Sequence, residues 1–174
     1  MKIGIDISQA AYSGTGVANF LIHLIEEISS KPDIEVILFY ASVGDYGKKF
    51  PFLGKKNVSI KRFPITPWFL DLLWNKLHII AIENFIGDVD VFISSDWTQP
   101  PVAKGKNATI LYDLSVYKYP EETASTIIAT QKRKLQWVKK ECDLLLCISE
   151  STKNDVMDIL KIQNDKLRVV YPGI

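Results

Sequence analysis

The sequence predicts a doubly wound α/β fold, a mostly parallel sheet with helices on both faces. Two observations carry that prediction. Apolar runs of strand length recur along the whole chain, and segments with helical period or helix-start residues separate them. The runs are continuous rather than alternating, as strands buried on both faces must be.

The first strand is Lys2-Ile3-Gly4-Ile5-Asp6-Ile7. A loop, Ser13-Gly14-Thr15-Gly16, leads into a helix near Val17, where Val17, Phe20, Leu21, Leu24, Ile25 and Ile28 keep the spacing of one buried helical face. This unit leaves unpaired N–H groups at the helix start, where an anion can sit, and glycine lets the backbone approach it. An ordinary turn accounts for Gly14 and Gly16 equally well.

Lys31-Pro32-Asp33 breaks the helix, and Glu35 to Tyr40 is the second strand. Strand, helix and strand then pair in parallel with a right-handed crossover. Residues 41–54 read as a surface loop, and Val58 to Phe63 as the third strand. Thr66-Pro67 marks a helix start, threonine capping and proline in the first turn, for a helix covering Trp68 to Phe85. Trp68, Trp74 and Ile79 give it more apolar surface than one packing face uses. It is either a deeply buried helix or one whose extra face meets a lipid or acceptor at a membrane surface.

Asp90 to Ser95 is the fourth strand, ending in Asp96-Trp97-Thr98-Gln99 before Pro100-Pro101. Ala108 to Tyr112 is the fifth, followed by Asp113-Leu114-Ser115. A helix from Pro120-Glu121-Glu122 to Lys140 opens with proline and acids, as the helix dipole favours. Its Lys132, Arg133, Lys134, Lys139 and Lys140 read as a solvated face, with acidic lipid as the alternative partner. Asp143 to Ile148 is the sixth strand, Ser149 caps a short helix ending near Leu160, and Leu167 to Tyr171 is the last strand.

At 174 residues the chain is one domain, 47% hydrophobic and 24% charged, the make-up of a globular protein. A net charge of +1 supplies no field to attract nucleic acid, so no nucleic-acid partner is expected. Cys142 and Cys147 border an apolar run and read as small buried hydrophobes in a reducing compartment. The chain opens on a strand pattern rather than a signal peptide and has no run of apolar residues long enough for a bilayer, which points to a cytoplasmic location, with the membrane's inner face as a place of peripheral contact.

In sheets of this kind ligands bind beyond the carboxyl ends of the strands. The polar residues expected there are Gly14, Thr15 and Gly16 after the first strand, Asp96 and Trp97 after the fourth, Tyr112 and Asp113 after the fifth, and Ser149 and Glu150 after the sixth. Nicotinamide dinucleotide binding is disfavoured: Asn19 stands where a third small residue belongs, and the second strand ends Phe39-Tyr40-Ala41-Ser42 with no acid for a ribose. No P-loop spacing occurs, and His23 and His78 are isolated on separate segments, so no metal site is expected.

Four stretches together resemble one family: Ile3-Gly4-Ile5-Asp6 with Gly14-Thr15-Gly16-Val17; Asp113-Leu114-Ser115 with Tyr119-Pro120-Glu121; Ile148-Ser149-Glu150-Ser151-Thr152-Lys153; and Leu167-Arg168-Val169-Val170-Tyr171-Pro172-Gly173. Over essentially all its length the chain is similar to the N-terminal, acceptor-side domain of a family 4 glycosyltransferase of the GT-B type, a Rossmann-like half of a two-domain enzyme. The resemblance implies sugar transfer with retention of configuration, from a nucleotide-sugar donor to a glycan or lipid-linked acceptor, with neither metal nor cofactor. It also implies that Gly14, Thr15 and Gly16 approach the donor diphosphate, that Asp113 and Tyr112 lie at the transferring sugar, and that Asp96, Trp97, Ser149 and Glu150 border the acceptor cleft. The donor-binding C-terminal domain is a missing partner, so residues 1–174 alone are expected to be inactive.

One departure stands out. The family commonly has histidine where Tyr112 stands, and a phenol donates a hydrogen bond but supplies no imidazolium charge. The alternatives are a stand-alone Rossmann-like binding or partner-interaction module without turnover, and a nucleotide-sugar epimerase on the same plan.

Overall fold

The computed structural model describes every residue except 13, 45–48, 96 and 174. Its sheet has seven strands, all parallel: β1 (Lys2–Asp6), β2 (Glu35–Ala41), β3 (Val58–Phe63), β4 (Val91–Ser94), β5 (Lys106–Leu111), β6 (Leu144–Cys147) and β7 (Leu167–Val169). Their order is β3-β2-β1-β4-β5-β6-β7, so the winding reverses between β1 and β4. Ile5 pairs with Leu38 on one side and Ile93 on the other.

Alternation along β2 splits the core. Val36, Leu38 and Tyr40 join Leu21 and Ile25 of α1 (Gly16–Ser29) on one face. Ile37 and Phe39 face the other way, toward Leu70 of α2 (Pro67–Leu70), Trp74, and Ile86 of α3 (Glu83–Ile86). Because both faces are covered, every residue of β2 after Glu35 is buried. After β5 come α4 (Ser115–Lys118) and α5 (Ser125–Glu141); α6 (Glu150–Asp155) follows β6. Leu135 and Val138 of α5 and Val156 beyond α6 pack on Leu145 in a third cluster.

Thr66 and Ser149 cap their helices, accepting hydrogen bonds from the N–H groups of Phe69 and Thr152. Three expectations need correction. Trp68 to Phe85 is not one helix: α2 widens into a π-helical turn, Asp71–Lys76, and the chain then leaves helical geometry at His78 and Ile80, both with positive φ. The cause is tertiary. The His78 ring stacks on Trp137 at 3.5 Å, and the Trp74 indole N–H donates to the Ile80 carbonyl, also the work of buried Trp74, which is no surface residue. The basic face of α5 is not uniformly solvated, since Lys134 is 1% exposed. Nor is the loop after β2 wholly superficial, because Phe50 and Phe52 stack on each other and Phe50 closes edge-on over Tyr40.

Both cysteines are free and buried, and burial pushes the Cys142 thiol up to about 12 and Cys147 to about 11. Thiolate is the reactive form. Both thiols are therefore expected to resist a disulfide reagent in the native chain and to react only after unfolding; rapid labelling of the folded protein would contradict this packing.

Candidate functional site

The reversal between β1 and β4 opens a crevice at their carboxyl ends, because connections leave the sheet there toward opposite faces. A cavity of about 310 Å³ occupies it. Asp6, the last residue of β1, forms its floor and is 5% exposed. Its Oδ1 accepts hydrogen bonds from the Ser8 N–H at 2.9 Å and the Ser8 hydroxyl at 2.6 Å. The same hydroxyl accepts from the Ala41 N–H at 3.0 Å, tying the carboxylate to the end of β2. Tyr12, Pro67, Leu70, Trp97 and Thr98 supply walls.

The loop after β4 is held from beneath by side chains that no sequence motif marks. The Lys134 ammonium, reaching in from α5, donates to the Ser95 carbonyl. Asn75 of the π-helical turn donates to the Trp97 carbonyl at 2.9 Å and accepts from the Gln99 N–H at 3.1 Å. Gln99 in turn donates to Asn107 at 2.8 Å and accepts from the Ser94 hydroxyl at 2.6 Å. Arg133 donates to Asp71 at 2.7 Å, and Asp71 accepts from Asn75 at 2.9 Å. A π-helical turn beside a ligand crevice is where such turns recur.

A second, larger cleft of about 810 Å³ runs between the start of α1 and the ends of β5 and β6. Gly16, Asn19, Phe20, Tyr112, Asp113 and Tyr171 line it. Thr15 caps α1, its hydroxyl oxygen accepting from the Ala18 N–H at 3.2 Å, and Gly14 takes φ +82°, a conformation that favours glycine. A Cβ at Gly16 would meet nothing within 4 Å. Asp113 Oδ1 accepts from the Ser115 N–H at 2.7 Å, so this carboxylate shapes the turn into α4 while lining the cleft. The Tyr112 ring packs edge-on to Phe20, and its hydroxyl lies 3.3 Å from the Ser95 hydroxyl, which ties this wall of the cleft to the loop after β4.

The predicted residues thus fall in two neighbouring depressions rather than on one rim. Gly16, Tyr112 and Asp113 share the cleft, and Trp97 lines the cavity. Ser149 caps α6 and Glu150 stands exposed in its first turn, both beside the cleft and tied to it through Thr152, whose hydroxyl donates to the Tyr112 carbonyl at 3.0 Å. Asp96 lies outside the described residues, as does Ser13 of the glycine loop. Asp6 and Lys134 went unrecognised. An acid closing an otherwise apolar buried strand was the available signal for the first. For the second it was a lysine four residues before Val138, on that residue's helical face. Among the described residues no three His, Cys, Asp or Glu side chains gather as metal ligands.

An all-parallel sheet with a crevice at its order reversal and a cleft at its first strand–helix turn defines a Rossmann-like α/β domain of the kind that forms one half of a GT-B enzyme. The Glycosyltransferase Family 4 profile matches residues 14–174, and the chain belongs to that family. Comparison with curated proteins found no match. β1 and Asp6 precede the matched stretch.

Burial raises the Asp6 carboxyl above its ordinary value; the Ser8 hydrogen bonds and the charge of Lys134 pull the other way and are outweighed. A raised acid stabilises the fold below its unfolded value, and that contribution is lost as pH rises through the folded one. Asp6→Asn is therefore expected to raise the melting temperature at about pH 7 and to give a smaller advantage at about pH 4. Paired thermal melts check this, and an advantage that grows on acidification would contradict it.

Proposed function

We propose that the chain is the acceptor-side domain of a retaining glycosyltransferase that moves a sugar from a nucleotide-sugar donor to a glycan or lipid-linked acceptor. What chiefly supports the reading is the common cleft of Gly16, Tyr112 and Asp113, beside a crevice that ends on a buried carboxylate. A volume of about 810 Å³ is ample for a sugar and part of a diphosphate.

In this reading the diphosphate meets the amino end of α1, where backbone N–H groups and the helix dipole favour negative charge by about 0.3–2 kcal/mol. Gly16 leaves the approach open. Transfer breaks the bond between the anomeric carbon and a diphosphate oxygen, the acceptor oxygen takes its place, and the acceptor's proton leaves with the diphosphate. Tyr112 stands where its phenol donates a hydrogen bond to the bound sugar. The crevice at Asp6 and Trp97 holds the acceptor and the cleft holds the donor, and bringing both substrates together is the source of much of the rate. Donor affinity is completed by a second domain facing this one, and residues 1–174 alone bind donor weakly. Trp68, 66% exposed, offers a contact for a membrane surface, and no described helix is long and apolar enough to cross one.

Replacing Gly16 separates a diphosphate site from a mere turn. Because space surrounds its Cβ position, Gly16→Val is expected to leave the melting temperature nearly unchanged. In the full-length gene product it should weaken nucleotide-sugar affinity by about tenfold or more, near 1.4 kcal/mol. Calorimetry of donor binding and a mass-spectrometric screen for sugar transfer read the outcome. Full affinity in the variant would return Gly16 to a structural role.

A further inference from the structure

We infer that the acceptor is a neutral glycolipid, its hydroxyl received by Asp6 and its hydrocarbon laid along Trp97 toward Trp68. The inference rests on the acceptor assignment above and goes beyond it by fixing the acceptor's chemistry.

The floor of the cavity decides the charge. Asp6 is a buried hydrogen-bond acceptor whose Oδ1 is already engaged by Ser8. An alcohol donates to such a group; a carboxylate or phosphate is repelled by it. Among the described lining residues there is no lysine or arginine, while Ser8, Ser42, Thr66 and Thr98 offer hydroxyls. Lys134, the nearest buried cation, is turned to the Ser95 carbonyl under the loop and is not on the lining.

The mouth decides the rest. Tyr12 and Val43 line the cavity yet are 53% and 60% exposed. A shallower depression of about 230 Å³ shares Pro67, Trp97 and Thr98 with the cavity and continues past Trp68 to Ile127. Trp68 and Ile127 are themselves exposed, at 66% and 38%. Pro67, Trp97, Trp68 and Ile127 therefore set apolar side chains along a path from the carboxylate floor to the outside of α2 and α5, with Asp71, Thr98, Thr126 and Thr130 beside them. A free oligosaccharide, hydroxylated along its whole length, leaves that track unused; an alkyl or acyl chain attached to a sugar covers it.

The test is a nuclear magnetic resonance titration of the 174-residue chain with three probes: n-octyl β-D-glucoside below its micelle concentration, methyl β-D-glucoside and n-octyl β-D-glucuronide. The octyl glucoside is expected to shift the amides of Ser8, Ser42 and Thr98 and the indole signals of Trp97 and Trp68. The methyl glucoside should need at least about tenfold more ligand, and the glucuronide should bind at least about tenfold more weakly than its neutral counterpart. Trp68→Ser, at an exposed position, should erase the advantage of the octyl chain, and Asp6→Asn should erase the preference for the neutral sugar. Equal binding of the methyl glucoside, equal or tighter binding of the glucuronide, or octyl glucoside shifts confined to other surfaces would each overturn the inference. None of these results bears on the diphosphate site at Gly16, so failure here is distinguishable from failure of the donor reading.

Discussion

The reversal of strand order between β1 and β4 is the constraint from which the rest of this structure follows. A parallel sheet needs its connections to cross over its faces, and where the direction of winding changes, adjacent strand ends are left uncovered. Here those ends carry Asp6 and the Ser94–Gln99 loop. That loop satisfies several of its backbone groups with side chains. Lys134, Asn75 and Gln99 do so from three elements, and the Arg133–Asp71 pair braces Asn75. The bonds to Lys134, Arg133 and Asp71 contribute about 1.5–3 kcal/mol each and the neutral amide bonds about 0.5–1.5, while leaving one partner buried alone costs about 1–3 kcal/mol or more.

The arrangement is preorganised on one side and open on the other. The crevice has a buried polar foundation, which fixes its walls before any ligand arrives. The rim formed by Gly14, Thr15, Gly16 and residues 171–173 is exposed. An exposed rim is what half of a two-domain cleft presents, and it fits the proposal that donor contacts are shared with a second domain. Asp6 shows the tension between stability and function in one residue: its burial disfavours the charge that makes it useful as an acceptor of hydrogen bonds.

Much of this was legible in the sequence because local chemistry and global packing agree. Val58 to Phe63 is a strand to the residue, Leu21 and Ile25 of the periodic face of α1 are fully buried with Ala18 and Ser29, from outside that spacing, beside them, and Thr66 and Ser149 cap where their spacing predicts. The segment from Trp68 to Phe85 was not legible, since its break comes from a stack between His78 and Trp137, residues distant in sequence. Lys134 was hidden by its charged neighbours Lys132 and Arg133; only its partner beneath the loop explains its burial. For the site, the strand-end rule located Tyr112, Asp113 and Trp97. It missed Asp6 because that residue belongs to the strand itself, and it merged two depressions into one because their separation is set by tertiary packing.

Amide hydrogen exchange at Gln99 tests most directly whether the loop after β4 is fixed from within. A loop amide held by Asn75 is predicted to exchange nearly as slowly as the neighbouring strand amides of β4 and β5, and to speed up strongly in Asn75→Ala while β2 stays protected. Exchange of the Gln99 amide in the wild-type chain at the rate of an exposed loop would contradict the account.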